Sequence, residues 1–158
     1  MSIELQEGQK APDFELPGDG GSTLRLSDLK GGPAVVYFYP RDDTSGCTKE
    51  AIAFSQLKDE FEAAGATIIG ISADPPAKHD AFKAKHDLTI ALASDEDKSV
   101  LESYGVWVEK SMYGRRYMGI ERSTFLIDAG GAIARIWRKV RVPGHADEVL
   151  EAVKSLKS

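Results

Sequence analysis

One cysteine, Cys47, stands in this chain of 158 residues, and its neighbours are of the types that make a thiol reactive. It lies in the stretch Pro40-Arg-Asp-Asp-Thr-Ser-Gly-Cys-Thr-Lys-Glu50. An apolar run, Ala34-Val-Val-Tyr-Phe-Tyr39, stops just before this stretch. The apolar positions Cys47, Ala51, Phe54, Leu57 and Phe61 then follow at helical spacing, which predicts a helix with Cys47 on the core side of its first turn. A thiol where a strand gives way to a helix lies among unpaired N–H groups at the positive end of the helix dipole, a setting that favours the thiolate. Gly46 lets the backbone approach closely there. Thr44, three residues before the thiol, can turn its hydroxyl toward the sulfur, and Pro40 stiffens the chain. Arg41, Lys49 and Arg122 are the candidate cations. Such a set supports nucleophilic attack by sulfur. The rival is that Cys47 is a small buried hydrophobe, a common fate of free cysteines. Position alone does not separate the two.

The bulk properties narrow the setting. A chain of this length reads as a single domain, residues 1–158, with a core of its own. Its composition, 42% hydrophobic and 28% charged, is that of an ordinary globular protein. A net charge of -5 argues against nucleic acid or an anionic membrane surface as partner. One cysteine makes no internal disulfide, Met1 to Gly8 lacks the basic and apolar regions of a signal peptide, and no apolar stretch reaches the ~20 residues of a membrane span. A cytoplasmic location is the expectation.

The elements that must position Cys47 are legible in outline. Asp13–Leu16 and Thr23–Leu26, around Gly18-Asp-Gly-Gly21, predict a small hairpin, and Ser27-Asp-Leu a helical turn. Ala34–Tyr39 reads as a strand buried on both faces. The helix from Cys47 is predicted to end at Gly65. Thr67–Ser72 is the next strand, Asp74-Pro-Pro opens a helix near Lys78–His86, and Leu88–Leu92 is a further strand. Val100–Tyr104 is a short helix stopped by Gly105, and Glu109–Arg116 a basic loop or hairpin tip. Arg122–Ile127 and Ile133–Arg138 flank the turn Asp128-Ala-Gly-Gly131, and Ala146–Leu156 is a final amphipathic helix. This order predicts an α/β fold: a thioredoxin-like domain with a central mixed β-sheet flanked by helices and an added N-terminal β-hairpin.

Pro-x-x-x-Thr-x-x-Cys after an apolar strand resembles the active-site motif of peroxiredoxins, and Pro40, Thr44 and Cys47 match it. Val36–Glu50 resembles the signature of the bacterioferritin-comigratory-protein branch, also called peroxiredoxin Q. Lys110–Asp128, ending in Gly-Ile-Glu-Arg-Ser-Thr-Phe-Leu-Ile-Asp, and Ile136–His145 resemble two further blocks of that branch. The likeness runs over essentially the whole chain. It implies an antioxidant thiol peroxidase acting on hydrogen peroxide and organic hydroperoxides. Cys47 would be the peroxidatic nucleophile, which forms a sulfenic acid. Thr44 and Arg122, with backbone near Gly46, would bind thiolate and peroxide, and Pro40 would shield the intermediate. No cofactor or metal is implied. The branch is commonly monomeric, with some dimers.

The chain departs from the branch at one point. Many members carry a resolving cysteine five residues after the peroxidatic one, where this chain has Ile52, and others carry it on the next helix, where there is none. A one-cysteine cycle follows, in which an external thiol forms a mixed disulfide and a second thiol releases it; glutathione, glutaredoxin and thioredoxin all fit. Ile52 falls well round the helix from Cys47, so this helix is expected to stay folded through the cycle. A peroxide sensor forming mixed disulfides with a partner would use the same cysteine without turnover.

The remaining candidates read as structural. His79, His86 and His145 lack the usual zinc spacing; the first two read as solvated helix residues and His145 as the start of the last helix. Gly18–Gly21 lacks the ending of a phosphate loop. Met112-Tyr-Gly-Arg-Arg-Tyr is too short for a nucleic-acid surface and reads as a border of the active-site mouth or a solvated segment. Trp107 and Trp137 read as core or rim aromatics.

Overall fold

The computed structural model describes residues 5–29 and 31–156. Strands β1 (Glu15–Pro17) and β2 (Thr23–Arg25) pair antiparallel as the N-terminal hairpin, and Leu26–Leu29 forms a 3-10 turn. The apolar run becomes β3 (Ala34–Phe38), every residue of which is buried. Helices α1 (Ser45–Gln56) and α2 (Lys58–Ala63) follow, then β4 (Thr67–Ser72), α3 (Pro76–His86), β5 (Ala91–Ser94) and α4 (Ser99–Ser103). Strands β6 (Trp107–Met112) and β7 (Arg115–Ile120) form a separate hairpin. The chain closes with β8 (Ser123–Ile127), β9 (Ile133–Trp137) and α5 (His145–Ser155).

The central sheet has the order β5-β4-β3-β8-β9. β3 and β4 are parallel, as are β4 and β5, whereas β8 runs antiparallel to both β3 and β9. This is the mixed, helix-flanked sheet expected from the element order. Because side chains alternate along a strand, β3 feeds two cores. Val35, Tyr37 and Tyr39 face α1, α2 and α5, together with Cys47, Phe54, Phe61, Val149 and Val153. Val36 and Phe38 face the other layer, with Leu101, Tyr104 and Phe125. Each fully buried large apolar side chain here contributes on the order of 2 kcal/mol.

Some boundaries move. The helix predicted from Cys47 to Gly65 begins two residues earlier, at Ser45, and breaks at Leu57, whose φ of -96° and ψ of 2° leave the helical range. No glycine or proline marks that break. Leu88 and Ile90 are core anchors ahead of β5 rather than part of a strand through Leu92, because pairing with β4 starts only at Ala91. The expectation for His79 is corrected outright: it is 0% exposed, inside the molecule. His86 is half-buried against Asp43. His145 does open the last helix, buried with Thr124 at 2.8 Å.

Gly70 shows how tightly the layer beneath the site is packed. It pairs with Tyr37 across β3 and β4, and a Cβ there would lie 2.7 Å from the tyrosine ring. That ring in turn stacks on Phe54 of α1 with centroids 4.7 Å apart. Gly70→Ala is therefore expected to cost about 1–3 kcal/mol through overpacking, seen as a lower urea midpoint; an unchanged midpoint would mean that the tyrosine yields freely.

Candidate active site

Antiparallel pairing sets Phe38, the last residue of β3, opposite Ser123, the first of β8. Both chain ends that matter for the chemistry are thereby brought to one edge of the sheet: the Pro40–Thr44 loop leaving β3, and Arg122 just before β8. Thr44 is the extended N-cap of α1, and Cys47 lies in the first turn, 1% exposed. The Arg122 side chain spans from β8 to this turn. Its Nη2 donates to Cys47 Sγ at 3.4 Å, and its Nη1 donates to Glu50 Oε1 at 2.7 Å. Cys47 and Glu50, three residues apart, share one helix face. A single planar guanidinium thus addresses both groups at once, a task its fork suits and a lysine's does not. Gly46 makes room: a Cβ there would sit 3.2 Å from Arg122 Nη2.

The sequence pattern does not single out Glu50, although it ends the stretch around Cys47. A glutamate in the first turns of a helix reads as a solvated charge; only its spacing from Cys47 hinted at more. It is 2% exposed, and its Oε2 has no hydrogen-bond partner among the described residues. Burial pushes its carboxyl up to about 7, against the pull of Arg122. Burial works to lower Arg122, but Glu50 and then Cys47 outweigh it, so Arg122 is held above its ordinary value and stays charged. Tyr37 is raised well above the usual phenol range, first by burial and then by Glu50, Cys47 and Asp42. Its hydroxyl also has no hydrogen-bond partner among the described residues.

Thr44 is placed differently from the expectation. Its hydroxyl donates to the carbonyl of Arg41 at 2.9 Å, so its hydrogen is committed within the loop and its oxygen makes no cap bond to α1. Thr44 thus leaves the start of α1 without a side-chain cap, and its first N–H groups stay available as donors for an anionic oxygen. Pro40, Arg41 and Lys49 are exposed to differing degrees, and none of them meets the thiol in a hydrogen bond. Of the three candidate cations, Arg122 is the one within hydrogen-bond reach of the sulfur. Lys110, in the stem of the β6–β7 hairpin, is coupled to the site only through charge: burial and then Arg122 lower it, while Glu121 and Cys47 oppose. The hairpin exposes Met112, Tyr113, Tyr117 and Met118. Ile52, where a resolving cysteine would stand, is half-buried against the edge of the core. It is less outlying than helix spacing implied.

Asp42, Asp74 and His79 bring possible metal-ligand atoms within 4.8 Å of one another. Those atoms are already committed. His79 Nδ1 and Asp42 Oδ2 are 2.6 Å apart, and Asp74 Oδ2 accepts from Ser72 Oγ and from the Asp42 N–H, each at 2.7 Å. The donor set is that of a hydrogen-bonded network. A small recess lined in part by Leu29, Ala34 and Ile127 lies at the far end of β3 and β8 from Cys47 and bears on none of these groups.

The model of the AhpC/TSA family matches residues 7–136. The chain is 49% identical to the protein named peroxiredoxin Bcp of Bacillus subtilis over 99% of its own length and 98% of that protein's. It is 43% identical to the Escherichia coli protein of that name, covering 95% and 96%. Among solved structures, PrxQ of Xylella fastidiosa, determined as a cysteine-to-serine mutant, superposes with a TM-score of 0.93 at 38% identity, covering 99% of this chain and 100% of that one.

Two buried groups give stability a characteristic pH dependence. Between 4.5 and about 7 the native state keeps the Glu50 proton that the unfolded chain has released, so Glu50 makes stability fall as pH rises. Burial lowers His145 from 6.5 to about 4, so over that window the unfolded chain binds a proton that the native state excludes, and stability rises with pH. Each effect amounts to at most about 3 kcal/mol. The two oppose one another up to 6.5, and only the Glu50 decline continues above it. Glu50→Gln should abolish that decline, measured by urea unfolding from about pH 4 to about pH 8. Parallel profiles for the variant and the wild type would contradict the assignment.

Proposed function

From the premise that this chain belongs to the AhpC/TSA family and is a Bcp-type peroxiredoxin, a thiol-dependent peroxidase, we propose the roles of its residues, its cycle and its reductant. Cys47 attacks a peroxide as the thiolate. Its sulfur takes the nearer oxygen, the O–O bond breaks, and the distal oxygen leaves and is protonated to water or an alcohol. Arg122 compensates the charge on sulfur in the ground state and on the leaving oxygen as the bond breaks, and N–H groups of the first α1 turn add to this. Thr44 contributes the lone pairs of its hydroxyl oxygen, and Pro40 covers the approach to the sulfenic acid. The observation that carries this reading is the Arg122 fork, with Cys47 Sγ at 3.4 Å and Glu50 at 2.7 Å. A solved bacterioferritin comigratory protein of Xanthomonas campestris, 41% identical to this chain, is described as having alkyl peroxide reduction activity, which supports organic hydroperoxides beside hydrogen peroxide as substrates.

With one cysteine in the sequence, the sulfenic acid is resolved from outside. An external thiol condenses with it, releasing water and leaving a mixed disulfide. A second thiol attacks that disulfide, restoring the Cys47 thiolate and carrying away the oxidised reductant. One peroxide thus consumes two thiols. Thioredoxin and glutaredoxin are the proposed physiological donors, glutathione is a further one, and the setting is the cytoplasm. The protein works as a single-domain monomer or as a dimer.

A peroxidase assay with each of these reductants tests the proposal. Wild type should turn over many equivalents of peroxide, Cys47→Ser none, and Arg122→Ala should lose about 10²–10³-fold in kcat/KM. Activity surviving Cys47→Ser would sink the mechanism, and consumption of a single equivalent with every reductant would favour a sensor. Because no intrahelical disulfide has to form, oxidation should open α1 only locally. Hydrogen exchange on the reduced and sulfenic forms should show residues 50–55 still protected, and wide deprotection of 47–55 would contradict this.

A further inference from the structure

We propose that Asp42 and His79 form a positioning pair for the reacting thiol, a buried acid–imidazole clamp that fixes the loop from which α1 starts. This rests on the reading of Cys47 as the nucleophile. The loop from Pro40 to Thr44 carries two of the proposed site residues and ends at the N-cap of α1, so its path sets where the first turn, and Cys47 with it, meets Arg122. Pro40, Arg41, Asp43 and Thr44 are exposed, and Asp43 holds a left-handed φ of 62°, which no glycine relieves. Such a loop does not hold its shape unaided.

Asp42, at its centre, is 2% exposed and anchors the loop at three points. Its Oδ1 accepts from the Tyr39 hydroxyl at 2.5 Å, its Oδ2 meets His79 Nδ1 at 2.6 Å, and its N–H donates to Asp74 Oδ2 at 2.7 Å. His79 reaches in from α3, and its Nε2 lies 2.9 Å from the carbonyl of Ala93 on β5. A carbonyl only accepts, so Nε2 carries a hydrogen, and Nδ1 and Oδ2 share one proton between them. Both imidazole nitrogens and both carboxylate oxygens are thus engaged, with no solvent to replace a lost partner. The clamp ties the end of β3, the loop, α3 and β5 into one unit. A second tie from α3 lies outside it, where Asp43 meets Lys85 at 2.7 Å and His86 at 2.8 Å. The hydrogen bonds of Asp42 and His79 run to these loop, strand and helix groups and not to the sulfur or Arg122, so the pair acts through the loop.

A mere core staple and a positioning pair predict different chemistry at Cys47. Peroxide reduction needs the sulfur, Arg122 and the first-turn N–H groups in register, whereas alkylation by iodoacetamide needs only an accessible thiolate. In single-turnover experiments, His79→Leu should slow oxidation of Cys47 by hydrogen peroxide by about 10²-fold, the scale of an ångström-sized misplacement, and slow alkylation far less, since alkylation depends on Arg122 only through the thiolate it stabilises. In an Arg122→Ala background the same change should cost less than about threefold, because the register it protects is already lost. Peroxide rates within about threefold of wild type, parallel losses in both reactions, or full additivity with Arg122→Ala would each overturn the proposal. Should His79→Leu fail to fold, two amides carry the test. His79→Asn places a donor near Nδ1, toward Asp42, and should keep more peroxide reactivity than His79→Gln, which reaches toward Ala93; the reverse order would overturn the proposal. Wild-type Cys47 that peroxide leaves unoxidised would refute the nucleophile reading instead.

Discussion

The guanidinium of Arg122, shared between a buried thiol and a buried carboxyl, is the constraint around which the molecule is arranged. Placing Cys47 in the interior removes water that would otherwise solvate a thiolate, so the charge has to be met by the protein. Arg122 meets it from the start of β8, and Glu50 holds the other half of the fork so that the guanidinium cannot swing away. That triangle exists because β8 pairs antiparallel with β3 in the register that sets Ser123 against Phe38. It also needs Gly46, since a side chain there would crowd the nitrogen that faces the sulfur.

Glu50 gives the arrangement its tension. A carboxylate that stayed fully ionised beside Arg122 would neutralise the cation the sulfur needs. Burial pushes Glu50 up to about 7 and so weakens that competition near neutral pH, while the hydrogen bond from Nη1 remains whether or not the group is charged. Its own burial keeps Cys47 out of reach of large thiols. Because the chain offers no second cysteine, an external reductant must gain access through local opening at the start of α1, next to a loop that is itself tied to α3 and β5.

Much of this was legible in the residues. The strand from Ala34, the N-terminal hairpin, the hairpin around Asp128–Gly131, the last helix and the strand–helix junction at Cys47 follow from apolar periodicity and turn chemistry, whereas β6 and β7 show in the sequence only as a loop or hairpin tip. Cys47 and Arg122 were reached because motif and resemblance reinforced position. Glu50 escaped because a glutamate on a helix declares its partner only once the distant Arg122 is known to point at it. His79 was misread for a related reason: a lone histidine among lysines looks solvated. Its spacing of three from Phe82, which is also buried, was the available clue to an inward face. The break at Leu57 carries no proline or glycine to announce it, and Thr44's bond to Arg41 depends on a loop path that no local pattern specifies.

Under the proposed cycle, peroxide oxidises Cys47 and only an outside thiol restores it. Intact-protein mass spectrometry through one cycle tests this most directly. One equivalent of hydrogen peroxide should add a single oxygen at Cys47. A monothiol should then replace it with a mixed disulfide, and excess thiol should return the original mass. No oxygen at Cys47, or a return to the reduced mass without added thiol, would contradict the account.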